Sequence, residues 1–132
     1  VTRIDEVVAL LREAGVPDEA LVSVRPGGRV LGIPRADRWE LVGRAWRLGE
    51  HLLCADGTVY RIGSVLRAVT PKDFNADKSA AAAAHRELQR QAAKAGFEGD
   101  VVNRDFERLD PDAADALVDR LAERARLRID PF

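Results

Sequence analysis

The sequence contains no methionine, a single cysteine and a single tyrosine, and only two tryptophans and two histidines among 132 residues. Each scarcity excludes something. One cysteine rules out an internal disulfide and fits a reducing cytoplasm. Together with two histidines it falls short of the four Cys or His ligands that a structural zinc site usually takes, so no metal and no other cofactor is expected. No apolar run approaches the ~20 residues of a membrane-spanning helix, and the charged N-terminal stretch Thr2-Arg-Ile-Asp-Glu does not have the pattern of a signal peptide. With no methionine even at position 1, the numbering is expected to start after a removed residue, or on Val1 read from a GTG codon. Lysine is almost absent too: Lys72, Lys78 and Lys94 are three of 21 basic residues, leaving 18 arginines. That skew, with abundant Ala, Val and Asp, is typical of a GC-rich bacterial genome.

What is present fits one soluble domain over residues 1–132. Hydrophobic residues make up 46% and charged residues 33%, which is globular rather than disordered composition. The net charge of −1 exerts no global pull on nucleic acid or membrane. The charge is uneven, however. Residues 25–67 carry eight arginines against Asp37, Glu40, Glu50 and Asp56, and residues 100–132 carry six arginines against nine acids.

Local signals predict the elements. Thr2 and Asp5 form an N-cap with a capping-box-like acid, Ile4, Val7, Val8 and Leu11 make an apolar stripe, and Gly15 with Pro17 stops a helix over about 3–14. Leu21–Val24 and Arg29–Ile33 are β-prone runs around Pro26-Gly27-Gly28, which predicts a hairpin there. Further strands are expected at 40–48, 50–55, 58–62 and 64–69. Asp56-Gly57 is the clearest turn signal, and a two-residue loop would set Leu53 opposite Tyr60 and His51 opposite Ile62. After a turn-rich connector at 70–76, Asp77 or Ser79 caps an Ala-rich helix over 80–95. Its inward stripe is expected to be Ala81, Ala84, His85, Leu88, Ala92 and Ala95. Phe97, Val101, Val102 and Phe106 anchor the segment that follows. A last helix starts at Asp110-Pro111, with a core stripe of Ala114, Leu117, Val118, Leu121 and Ala125. The fold class expected is α+β: an N-terminal helix, a twisted antiparallel sheet of five to six short strands, open or closed into a small barrel, and two C-terminal helices.

No catalytic set stands out, and no catalytic residue is assigned. His51 and Cys54 are an odd number of residues apart on a strand, so they point to opposite faces. No G-x-S-x-G elbow, phosphate loop or dinucleotide fingerprint occurs. The candidate binding residues are Arg29, Arg44, Arg47, Arg61 and Arg67 with Trp39 and Trp46. If several shared a face they would offer bidentate donors beside aromatic rings, suited to phosphates or carboxylates. An acidic protein surface, a nucleic acid and the chain's own acidic helix at 110–124 all fit that chemistry.

At Trp46-Arg-Leu-Gly-Glu-His-Leu-Leu, then Asp56-Gly-Thr-Val-Tyr-Arg-Ile-Gly and Arg67-Ala, the chain resembles a group of small uncharacterised actinobacterial proteins, over about residues 33–103. Members sometimes bear an enzyme label such as glutaminase. Serine-dependent glutaminases use a Ser-x-x-Lys nucleophile, whereas here Ser79 is followed by Ala82. The resemblance therefore implies kinship, with no reaction and no site residues attached. The function expected is that of a non-enzymatic cytoplasmic binding or interaction module, without a membrane partner. Nucleic-acid binding through the arginine- and aromatic-rich sheet and an unrecognised small enzyme remain open alternatives. A homo-oligomer remains open too.

Overall fold

The computed structural model describes residues 2–71 and 79–131. It is an α+β chain: helix α1 (Arg3–Glu13), strands β1 (Glu19–Arg25), β2 (Arg29–Val30), β3 (Ile33–Pro34), β4 (Arg38–Leu48), β5 (His51–Cys54), β6 (Val59–Arg61) and β7 (Ser64–Arg67), helix α2 (Ala80–Ala92) running into a π turn (Ala93–Phe97), strands β8 (Val101–Arg104) and β9 (Glu107–Arg108), and helices α3 (Pro111–Ala116) and α4 (Val118–Ile129). No helix among the described residues is long and apolar enough to cross a membrane.

Seven strands form one mixed sheet in the order β7-β8-β1-β4-β5-β6-β9, and β2 with β3 form a separate ribbon. This corrects the expected antiparallel sheet of five or six strands. The linear order leaves the sheet open, not closed as a barrel. The parallel element is β1 with β8, where Ala20 pairs with Val102 and Leu21 with Asn103. Val101-Val102 was expected only as an anchor. As a strand it is too short to show a period of its own, and its partner lies some 80 residues away in sequence.

The chain divides into two compact units. The first comprises Val1–Glu19, Gly43–Ser64 and Asp105–Phe132, the second Ala20–Val42 and Val65–Arg104. In the first, α1 begins as predicted: the Thr2 hydroxyl accepts from the Asp5 amide and the Asp5 carboxylate accepts from the Thr2 amide. Those bonds hold the Asp5 carboxyl below its usual pKa. Its buried stripe is the predicted one, Ile4, Val7, Val8 and Leu11. It packs with Trp46, Leu48, Leu53 and Val59 from the sheet and with Ala114, Val118, Leu121 and Ala125 from the C-terminal helices. Arg3 and Asp119 tie α1 to α4 through an ion pair. The predicted single last helix is two, because the Leu117 amide (φ −97°, ψ 0°) bonds back to Ala114 and breaks the i→i−4 ladder. Asp110 caps it as expected, accepting from the Ala113 amide at 2.9 Å.

The β5–β6 turn lies where Asp56-Gly57 places it, with a different register. The Cys54 amide donates to the Thr58 carbonyl at 2.9 Å and the Gly57 amide to the Cys54 carbonyl at 3.0 Å, so the loop has three residues. Gly57 alone takes a positive φ (90°), and Asp56 Oδ1 accepts from the Thr58 amide. This is the bulged hairpin with glycine in the left-handed position, not a two-residue I′ turn. Leu53 therefore pairs with Val59, Leu52 with Tyr60 and His51 with Arg61. The shift by one residue puts Leu53 and Val59 on the same face as Trp46 and Leu48, against the helices.

In the second unit, Ala20, Val22, Leu66, Ala68, Ala92 and Val102 form the core, with Val24, Trp39, Leu88 and Phe97 packed against it. Asn103 is buried beside it and donates to the Ala20 carbonyl at 3.3 Å. The predicted hairpin at Pro26-Gly27-Gly28 is instead a clamp. The Gly27 amide donates to Asp37 Oδ1 at 3.1 Å, and a Cβ on Gly27 would lie 2.2 Å from the carbonyl oxygens of Arg35 and Ala36. The turn belongs to Leu31-Gly32, both at positive φ (52° and 77°). Ser79 caps α2 by accepting from the Ala82 amide, while Asp77 lies outside the described residues. Of the predicted α2 stripe only Ala92 is buried and Leu88 half-buried. Ala81, Ala84, His85 and Ala95 are exposed, since methyl groups give that half of the helix little to bury.

Two outcomes follow from this packing. Gly57→Val lowers stability by about 1 kcal/mol or more, because a β-branched residue resists a positive φ while a Cβ here meets only ordinary contacts, Ile4 Cγ2 at 3.5 Å being the nearest. Chemical denaturation of both forms checks it, and identical midpoints and slopes contradict it. Hydrogen exchange should open the amides of residues 84–90 well before those of 121–128, and equal protection of the two sets contradicts the loose packing of α2.

Candidate functional site

The candidate binding residues are divided between the two units. Arg44, Arg47, Arg61 and Trp46 belong to the first unit, and Arg29, Arg67 and Trp39 to the second. Within β4 the alternation of side chains puts Arg44 on the Trp46 face and Arg47 on the other. Trp46 is core. Its indole N–H donates to the Val16 carbonyl at 2.9 Å, which satisfies the ring's polar end inside the first cluster.

The arginines of the basic segment largely meet carboxylates. Arg44 Nε lies 2.7 Å from Asp18 Oδ1, and Arg47 Nε 3.0 and 3.1 Å from the two oxygens of Glu19. Arg25 pairs with Glu40 at 3.5 Å and Arg61 with Glu107 at 3.8 Å. None of these acids lies in the 110–124 helix. Asp18, Glu19 and Glu107 also fall outside residues 25–67, so the local excess of positive charge in the sequence is answered by acids from elsewhere in the chain. The exposed pairs contribute little, within about 1 kcal/mol each. Glu19 differs: its side chain is almost fully buried, and it is ion-paired with Arg47. Arg29 and Arg67 are exposed and form no ion pair among the described residues.

Trp39 is half-buried. The Arg104 guanidinium lies 5.4 Å from its ring centre, a cation–π distance, and its indole nitrogen is buried with no hydrogen-bond partner among the described residues. It lines a cleft of about 350 Å³ with Asp37, Glu87, Arg90, Gln91 and Lys94, where charges of both signs give no single ligand preference.

Nucleophilic chemistry finds no footing at Cys54. Burial, and then the Asp56 carboxylate, pushes its thiol up to about 11, so the thiolate is scarce at neutral pH. His51 pairs across to Leu48 and Cys54 to Ala45, which places them on opposite faces of β5 as their spacing predicts. Among the described residues no three His, Cys, Asp or Glu side chains gather into a metal-ligand set.

The feature that sequence reasoning missed is the β2–β3 ribbon. Leu31 is 95% exposed, Ile33 65% and Val30 45%, at the tip of a hairpin whose base is fixed by the Gly27–Asp37 clamp and by the Arg35 amide bonded to the Gly28 carbonyl. Its signal was Gly32 inside an apolar run: a turn glycine that divides Arg29–Ile33 into two arms too short to bury. No family model, curated protein or solved structure matches this chain.

Arg47→Met should destabilise the protein by roughly 1–2 kcal/mol, because it takes a guanidinium away from the nearly buried Glu19 carboxylate. Pairing it with Glu19→Gln should recover most of that loss. A double-mutant cycle by denaturation checks the coupling, and additive effects would deny it.

Proposed function

We propose that this protein is a non-catalytic interaction module that seats its β2–β3 hairpin in an acid-rimmed apolar pocket on a partner protein. The observation that carries the reading is Leu31: a large apolar side chain, 95% exposed, on a residue with φ 52°. A non-glycine residue in that conformation costs of order 1 kcal/mol, and here no burial within the chain offsets it. Strain with no return in the folded monomer is what a binding residue shows. Val30 and Ile33 flank it, and the exposed Arg29, Arg35 and Arg38 supply a cationic collar. Burying three such side chains yields roughly 5 kcal/mol before the cost of association, which suits a transient contact.

The support for a non-enzymatic role is the suppressed thiol of Cys54 and its separation from His51. Nucleic-acid binding by the sheet is the weaker reading, because Arg44, Arg47 and Arg61 would have to exchange Asp18, Glu19 and Glu107 for phosphates. The membrane has no part in this proposal.

A photo-crosslinking residue in place of Leu31 should capture one discrete protein in the native host, and Arg29→Glu with Arg35→Glu should abolish the capture. The same probe at the exposed Ala83 serves as control. Capture no different from the control, or unchanged by charge reversal, overturns the proposal. In the isolated protein Leu31→Asn should leave stability unchanged or raise it by about 0.5–1 kcal/mol, since Asn tolerates the left-handed region. Thermal denaturation measures that, and a marked loss of stability would make Leu31 a folding residue instead.

A further inference from the structure

A second feature, independent of the hairpin, lies in the first unit, where a cavity of about 140 Å³ is lined by Leu48, Glu50, His51, Arg120 and Arg124. Three elements build it. The Gly49-Glu50 turn carries β4 into β5 and holds Glu50 at its rim. His51, the first residue of β5, is 92% buried and lies in the wall. Arg120 and Arg124 come from α4, one turn apart on the same side of the helix. Gly49 has φ 66°, and a Cβ there would lie 3.3 Å from the Nε of Arg124, so the turn is bare where that guanidinium rests.

The charges do not balance within the pocket. Arg120 and Arg124 are like charges at i and i+4, an arrangement that weakens an isolated helix, and neither makes an ion pair among the described residues. Arg61 adds a third guanidinium field at His51, although it is engaged by Glu107 at 3.8 Å. Against these, Glu50 is the one acid among the described residues that line the pocket. The imidazole is held below its ordinary pKa chiefly by burial, then by Arg61 and Arg120, with Glu50 acting in the opposite sense. An anion in the cavity would reverse the balance.

We propose that this pocket binds a phosphoryl group, as inorganic phosphate or at the end of a small phosphomonoester. Two guanidinium forks and one imidazole N–H offer more donors than a carboxylate has oxygens, and a tetrahedral dianion can accept from all three groups. The volume admits the phosphoryl group and excludes a whole nucleotide. Protonation of His51 couples to occupancy: the bound anion raises the imidazole pKa, and protonation of His51 in turn favours binding until the ligand itself takes up a proton, at about pH 6 for a phosphomonoester.

The chain contains its own control. Its two histidines are His51 in this pocket and His85, exposed on α2. Histidine side-chain NMR of the full chain, titrated in pH with inorganic phosphate, phenyl phosphate or acetate at matched ionic strength, follows both. The expected result is a His51 pKa moved up by about half a pH unit or more by phosphate, with His85 unmoved and acetate without effect. Arg124→Gln should weaken the response about tenfold, and Arg120→Gln with Arg124→Gln should abolish it. Both residues are exposed, and the amide fingerprint shows whether each variant is folded. A response to inorganic phosphate alone identifies the free ion as the ligand, and an equal or stronger response to phenyl phosphate identifies the monoester. The proposal is overturned if His51 does not move, if His85 moves with it, if acetate acts equally, or if the folded double variant still responds. Leu31→Asn leaves the titration unchanged, so failure here and failure of the hairpin reading are separate results.

Discussion

The left-handed glycine of the β5–β6 turn is the constraint on which the first unit depends. With Gly57 at φ 90° and its amide on the Cys54 carbonyl, the loop takes three residues and Val59 is set opposite Leu53. That register puts Leu53 and Val59 on the face that α1, α3 and α4 cover, and Leu52 and Tyr60 on the other, where Tyr60 meets Phe106 edge to face with ring centres 4.9 Å apart. A two-residue turn would exchange the two sets along β6 and aim Tyr60 at the helices. A single backbone angle thereby decides which half of each strand is core.

The parts of the fold legible in the sequence are those settled within a few residues. The Thr2 cap and the Ile4–Leu11 stripe need only helical spacing and a hydroxyl, and the Asp110-Pro111 start needs only a cap and a fixed φ. The position of the β5–β6 turn was legible for the same reason. Its register was not, because Asp-Gly serves both a two-residue loop and a bulged one, and hydrogen bonds from Cys54 decide between them. Strand β8 was hidden by its parallel partner far along the chain. Gly27 has the sequence signature of a turn residue, whereas it is glycine because the Arg35 and Ala36 carbonyls approach too closely for a side chain.

The charge partners of the candidate binding residues were hidden for a related reason. Arginine density along residues 25–67 is a property of the sequence, but the carboxylates that meet those arginines come partly from Asp18, Glu19 and Glu107, which no local pattern connects to them. The exposed tip at Leu31 and the basic pocket around His51 emerge only once burial is known. Each combines ordinary residues whose surroundings make them conspicuous: an apolar side chain with nothing to cover it, and paired arginines with too few acids.

The two units are interleaved along the chain, which passes from one to the other four times. Synthesis runs through the whole second unit by Arg104 and supplies α4 only after it. The stripe of Ile4, Val7, Val8 and Leu11 thus leaves the ribosome well before its helical neighbours Val118, Leu121 and Ala125, which cover it in the folded unit. During that interval the stripe is apolar surface without its helical neighbours, the kind of surface chaperones bind. Stalling or truncation before residue 118 would leave it permanently in that state.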